Sequence, residues 1–312
     1  MYTTGRRSTS VALTLSTALL LAITGCSSSG TGKAHGHSRT GRADGGSKVL
    51  QGLGNVATSA RKNMVNYVDA TEARRLSRGA PDRFAFVRGP VSSLLSSYSP
   101  PPWGHSLAAR QIDTAVDFQG AGHWEGAFDQ PAIAASLESH GYTKTKRDGK
   151  DVWKSSQHPD QAYEIAKDTV SYSTRSGVGL SALHPEDGHT LADIEEYRRA
   201  AECVGDAYRV DFSAMRSSGP VRLSALGQRA TVPARNTEAM CFVIKDAATA
   251  ERTASRLRAI VAKEAPTYDG TKVTVDKSGD LAVMRAIVPD TTKQMPGRLN
   301  LTDMALWAAV EI

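Results

Sequence analysis

Residues His123–Lys150 read H-W-E-G-A-F-D-Q-P-A-I-A-A-S-L-E-S-H-G-Y-T-K-T-K-R-D-G-K. Three signals of local structure follow one another here. His123 to Phe128 suits a strand. Asp129 suits a helix N-cap, Pro131 falls in the first turn, and Ile133, Ala134 and Leu137 share one helical face. Gly141 suits a left-handed helix stop. Tyr142–Lys146 and Asp151–Ser155 then flank Arg147-Asp148-Gly149-Lys150, a hairpin signal. A second hairpin follows, with Ala162–Ala166 and Thr169–Ser173 joined through Lys167-Asp168.

Further along the chain the same order returns. Ala239 to Ile244 predicts a strand. Asp246 caps a helix over Ala247–Lys263, with Ala250, Ala254, Leu257 and Ile260-Val261 on its inner face. Lys272–Val275 and Leu281–Val288 flank Asp276-Lys277-Ser278-Gly279-Asp280 as another hairpin. Hairpin connections are too short for parallel crossovers. The fold class expected is therefore α+β: largely antiparallel sheets with packed helices, in two similar strand-helix-hairpin blocks. The blocks share order and not residue identity, which fits an ancient duplication and equally fits an ordinary α+β chain.

Outside these blocks, Met64–Val68 suits a strand, and Asp69 or Thr71 can cap a helix running to Ser77. Val91–Tyr98 suits a short helix stopped by Pro100-Pro101-Pro102. Thr190 caps a helix expected to run to Val204 and stop at Gly205, with Leu191, Ile194, Tyr197 and Ala201 as its apolar stripe. An apolar helix near Leu301–Val310 closes the chain. The division expected is 1–25 leader, 26–48 tether, 49–180 first block and 181–312 second block, the last two divisible or continuous.

The leader has a secretory anatomy. Arg6 and Arg7 precede an apolar run from Val11 to Ile23, then Thr24, Gly25 and Cys26. That run is shorter than the ~20 residues that span a bilayer. Ser8-Thr9-Ser10 after the arginine pair lacks the hydrophobic residues of twin-arginine export, so ordinary secretion is expected. Ile23-Thr24-Gly25-Cys26 resembles the lipobox of bacterial lipoproteins. The resemblance implies a diacylglyceryl thioether on Cys26 and a mature chain beginning there, held on the extracytoplasmic face of the cell membrane. Two acyl chains hold a protein stably, since each buried CH₂ contributes roughly 0.8 kcal/mol. Ser27–Gly46 is rich in Ser, Gly and His and reads as a tether.

Charge and cysteines are read against this anatomy. Of the formal net charge of +6, Arg6 and Arg7 supply two. Lys33, Arg39, Arg42 and Lys48 against Asp44 supply three more, which leaves about +1 for the rest. A nucleic-acid partner is not expected, because the basicity lies outside the folded part. A tether carrying those cations suits anionic lipid head groups. With Cys26 assigned to lipid, Cys203 and Cys241 remain as a pair in an oxidising compartment, where a disulfide is favoured over two buried thiols. No histidine lies near either cysteine, so no zinc set is indicated.

Phe128-Asp129, Gly141-Tyr142, Gly149-Lys150-Asp151-Val152-Trp153, Tyr197–Asp206 and Cys241 together resemble uncharacterised lipoproteins of high-GC Gram-positive bacteria. The resemblance implies an envelope location and the cysteine pair, and it carries over no catalytic residue.

A search for chemistry finds no Gly-x-Ser-x-Gly, no His-Glu-x-x-His and no phosphate loop; Gly177-Val178-Gly179 is too short and has no Lys. The densest titratable run is His184-Pro185-Glu186-Asp187-Gly188-His189, with Asp193 and Glu195 after it. His184 and His189 are thus the weak metal candidates, against the alternative of a polar turn feeding a helix start. His35 and His37 lie in the tether. His123 and Glu125 share a strand face opposite Trp124. The expectation is an anchored, non-catalytic module that binds a ligand or envelope protein, with no cofactor. The alternatives are an envelope hydrolase or metal-dependent enzyme whose residues are dispersed in sequence, and a structural wall-associated module.

Overall fold

The computed structural model describes residues 46–87, 89–90, 92–95, 102–176, 178–214 and 219–311. The leader, Cys26, His35, His37 and nearly all of the tether lie outside the described residues, as do Gly177 and parts of the Val91–Tyr98 helix and of the proline run. Within the described residues, twelve strands form one antiparallel sheet. In chain order they are β1 (Val65–Asp69), β2 (Ile112–Phe118), β3 (Ala121–Gly126), β4 (Tyr142–Arg147), β5 (Lys150–Ser155), β6 (Ala162–Ile165) and β7 (Thr169–Ser173). Then come β8 (Arg209–Ala214), β9 (Val221–Ala230), β10 (Asn236–Ile244), β11 (Lys272–Asp276) and β12 (Ala282–Pro289). The spatial order is β11-β12-β10-β9-β8-β1-β2-β3-β7-β6-β5-β4, so the β1–β8 pairing joins the two halves of the chain.

The helices are α1 (Lys48–Leu53), α2 (Ala70–Gly79), α3 (Gln130–Ser139), α4 (Glu195–Val204), α5 (Ala247–Lys263), α6 (Arg298–Leu301) and α7 (Ala305–Glu311). Three N-caps act as the sequence implies. Asp69, Asp129 and Asp246 accept from the backbone N–H of Glu72, Ala132 and Thr249, three residues on. Two expected helices are broken. Leu191–Asp193 forms a separate 3-10 turn, because the Asp193 carboxylate folds back onto the Thr190 N–H and hydroxyl; extended Ile194 then precedes α4. The C-terminal helix divides at Thr302 and Asp303, where Asp303 is held by Tyr268 and Arg298. The strands β2, β8 and β9 carry no clear alternation in sequence.

Register separates the faces. On the front, one row of cross-strand neighbours runs Val152–Glu164–Ser171–His123–Val116–Tyr67–Val210–Gly227–Ala239–Ile287. A single core lies over this face, built from α1, α4, the 3-10 turn Leu180–Leu183 and strand residues such as Tyr67, Phe212 and Val243. The back face has two cores. Trp103, Trp124, Tyr163 and Tyr172 pack with Ile133 and Leu137 of α3 at one end. Met240, Phe242 and Met284 pack with Ala250, Ala254 and Leu257 of α5, and with α7, at the other. Between them the row Asp117–Asn66–Asp211 is polar. The sheet ends on β4, where five of six residues are exposed, and on the short β11.

Candidate functional site

α4 lies across β9, β10 and β12 on the front face, and the disulfide Cys203–Cys241 fastens it to β10. Helical spacing brings Arg199, Glu202 and Cys203 to the same side of α4. Opposite them stands Arg285 on β12, level with Cys241 of β10 and Thr274 of β11. Together with Asp276 and Val283, these residues line an open cleft of about 240 Å³. That is below the ~300 Å³ at which drug-sized pockets begin, and suits a small ion or a single terminal group.

The two arginines of the cleft differ. Arg199 Nη2 donates to Asp276 at 3.1 Å and Nη1 to the Ser278 carbonyl at 2.6 Å. Arg285 has no hydrogen bond or ion pair among the described residues, and its buried Nε is unpartnered. Burial lowers the Arg285 pKa first, and the nearby Arg229 lowers it further. A guanidinium desolvated in this way beside a second cation is stabilised by an anion.

The residues singled out in sequence are placed as follows. Cys203 and Cys241 are bonded. His184 and His189 separate. His184 turns inward, with Nε2 2.5 Å from Glu164 Oε2 and Nδ1 accepting from Lys150 Nζ at 3.2 Å. His189, Glu186 and Asp187 stay exposed, and Asp193 closes its own turn. No group of three His, Cys, Asp or Glu suited to a metal occurs among the described residues.

The cluster around His184 includes a feature that sequence reasoning missed. Its neighbour in the front row is His123, whose Nδ1 lies 2.8 Å from the Ser171 hydroxyl. Burial pushes His123 down to about 4; nearby Lys150 and His184 oppose its protonation, while Glu125 and Glu164 favour it. A neutral imidazole on a serine is the start of a nucleophile–base pair. Ser171, however, is only 3 % exposed, so its hydroxyl is closed to a substrate. Glu164, His184 and the exposed Lys150 lie against one another beside this pair.

A third polar cluster holds the C-terminal segment to the sheet. Glu238 is fully buried; its Oε2 accepts from Gln228 at 3.0 Å and from the Leu299 N–H at 3.4 Å, while Oε1 has no partner. Burial, with Asp290 nearby, pushes Glu238 up to about 8. Arg298 links Asp290 at 2.9 Å to Asp303 at 2.5 Å.

Arg285 and Glu238 each stand in an apolar strand, L-A-V-M-R-A-I-V and T-E-A-M-C-F-V-I. A lone charge in such a run is a sequence signal for a paired or functional group. Among the described residues no helix is long and apolar enough to cross a membrane. Compared with known proteins, the chain matches no family model, no curated protein and no solved structure.

Proposed function

We propose that this chain is a lipid-anchored extracytoplasmic lipoprotein whose folded module binds a small anion, or the anionic end of a larger ligand, between α4 and β12. The observation that carries the binding role is Arg285: a desolvated guanidinium on an open cleft, with no carboxylate assigned to it. Arg199 is the second contact, prepositioned by Asp276 and Ser278. The fork of a guanidinium matches a carboxylate or phosphate with two parallel hydrogen bonds. The anchor rests on the leader, its lipobox-like end and Cys26. The Cys203–Cys241 disulfide is in keeping with export. The reading of two related blocks draws support from topology: β3 leads into α3 and β10 into α5, and each helix is followed by strands that return to pair with β3 or β10.

Calorimetric titration of inorganic phosphate into the purified full chain tests the site. Saturable binding is expected, weakened at least about tenfold by Arg285→Leu, which removes the charge-assisted hydrogen bonds. Equal affinity in both chains, or no binding by either at tens of millimolar, removes the cleft from consideration.

A further inference from the structure

The end of the sheet where β1 finishes and β8 begins carries three loops fastened together by one side chain. Arg83 donates to the carbonyls of Pro233, Thr291 and Gln294, joining the segment after α2, the β9–β10 turn and the segment after β12. Arg209 adds a long contact, 3.5 Å, to the Phe86 carbonyl. Each of the three loops exposes a large apolar side chain: Phe86 is 67 % exposed, Val232 45 % and Met295 37 %. Around them stand exposed Arg78, Arg235 and Lys293, none with an ion pair among the described residues, against Asp82 and against Glu72, which is paired with Arg75. Apolar side chains ringed by cations are the composition of a surface that rests in the head-group region of an anionic bilayer.

The course of the chain bears on the same end. The first described helix begins at Lys48, and Lys48 Nζ contacts Asp69 at 2.7 Å, at the finish of β1. The described part of the chain therefore begins beside these loops, and not at the opposite end, where Met64 is exposed.

The geometry points to a second, peripheral contact with anionic lipid, made by Phe86, Val232 and Met295 with Arg78, Arg235 and Lys293. It rests on the anchored reading, because a chain held by its N-terminus repeatedly presents this end to the bilayer. Contact here leaves the cleft between α4 and β12 free, since none of its lining residues belongs to these loops.

The full chain carrying Phe86→Trp, mixed with phosphatidylglycerol–phosphatidylcholine vesicles bearing brominated acyl chains, tests the contact. Trp103, Trp124 and Trp153 are at most 3 % exposed and Trp307 is half-buried, so the signal of the added indole is read as the difference from the unsubstituted chain, which carries the same four tryptophans. Its emission is expected to shift to the blue and be quenched. Quenching should fall at least about threefold in pure phosphatidylcholine, or when Arg78, Arg235 and Lys293 are changed together to Glu, because the electrostatic part is lost. The control Met64→Trp should stay unquenched. Equal quenching at both positions, or none at position 86 in a chain that floats with the vesicles, overturns the contact. A chain that neither floats nor is quenched overturns it as well. The anchor has its own readout: Cys26→Ser must abolish lipid labelling, and labelling that persists refutes the anchor irrespective of the quenching result.

Discussion

The two halves of the sheet treat charged groups on the front face differently. In the half from β1 to β7, His123 pairs with Ser171, and Glu164, His184 and Lys150 lie against one another, while the buried Tyr67 hydroxyl has no hydrogen-bond partner. In the half from β8 to β12, Arg285 has no partner and faces a cleft, while on the back Glu238 keeps one oxygen unpaired. A charge that costs stability and opens on solvent suggests a ligand; an internally satisfied cluster indicates a packed core. The halves also respond oppositely to protons. The His123 pKa is depressed and the Glu238 pKa is raised, so acid acts against the first half and alkali against the second.

Glu238 provides the largest expected effect. Its folded pKa of about 8 lies above the ordinary 4.5, so the folded state holds a proton that the unfolded state has lost. Stability should fall as pH rises from about 4.5 through about 8, by an order of 4–5 kcal/mol if the whole shift is expressed. Denaturant melts across that range should show the slope, and Glu238→Gln should flatten it. Next is the disulfide, which closes a separation of 38 residues. Loop-entropy arithmetic assigns it roughly 4 kcal/mol. Replacing both cysteines by serine should lower the denaturation midpoint accordingly, and hydrogen exchange should quicken in α4 and β10 more than in β3 and β7. If protection falls equally everywhere, the halves are not separable units of stability.

His123 comes third. Its folded pKa of about 4 lies below the ordinary 6.5, so its contribution is complete above 6.5 and is lost as pH falls through 4, about 3 kcal/mol in all. His123→Gln should remove this acid lability and leave the Glu238 slope in place. The smallest effect is Arg285→Leu, expected to raise stability by at most about 1 kcal/mol, because the unpaired guanidinium is only partly buried and solvent screens it. A thermal melt that drops instead shows that Arg285 holds the fold together, and weakens the contrast on which the anion site rests.

Much of the architecture was legible where local chemistry acts alone. α5 follows its Asp246 cap and its apolar stripe over the range expected, and the hairpins β4–β5 and β6–β7 follow their turn residues. β9 was not legible, because Gly227 interrupts it. A Cβ there would lie 2.8 Å from Val204 Cβ, so the glycine serves the approach of α4, a demand that arises only in three dimensions. The helix expected from Thr190 broke because Asp193 bonds back to Thr190, a choice between two local caps that propensity does not decide. Of the candidate site, the cysteine pair was readable from compartment and count. Arg285 was visible as a lone charge, but its lack of a partner depends on what β10, β11 and α4 bring opposite it. The contact of His184 with Glu164 depends likewise on β6 lying beneath the turn after Leu183.

An open sheet of twelve strands has two free edges, and the outer one offers a neighbouring molecule a row of unpaired backbone groups. On β4 that row is flanked by Lys144, Lys146 and Arg147, all exposed, with Asp151 on the adjacent strand and Asp148 in the turn balancing part of the charge. Two copies approaching through β4 would bring like charges within a strand spacing of ~5 Å. The edge thus acts as a built-in colloidal barrier: where many copies crowd together, it keeps their sheets from joining into ribbons.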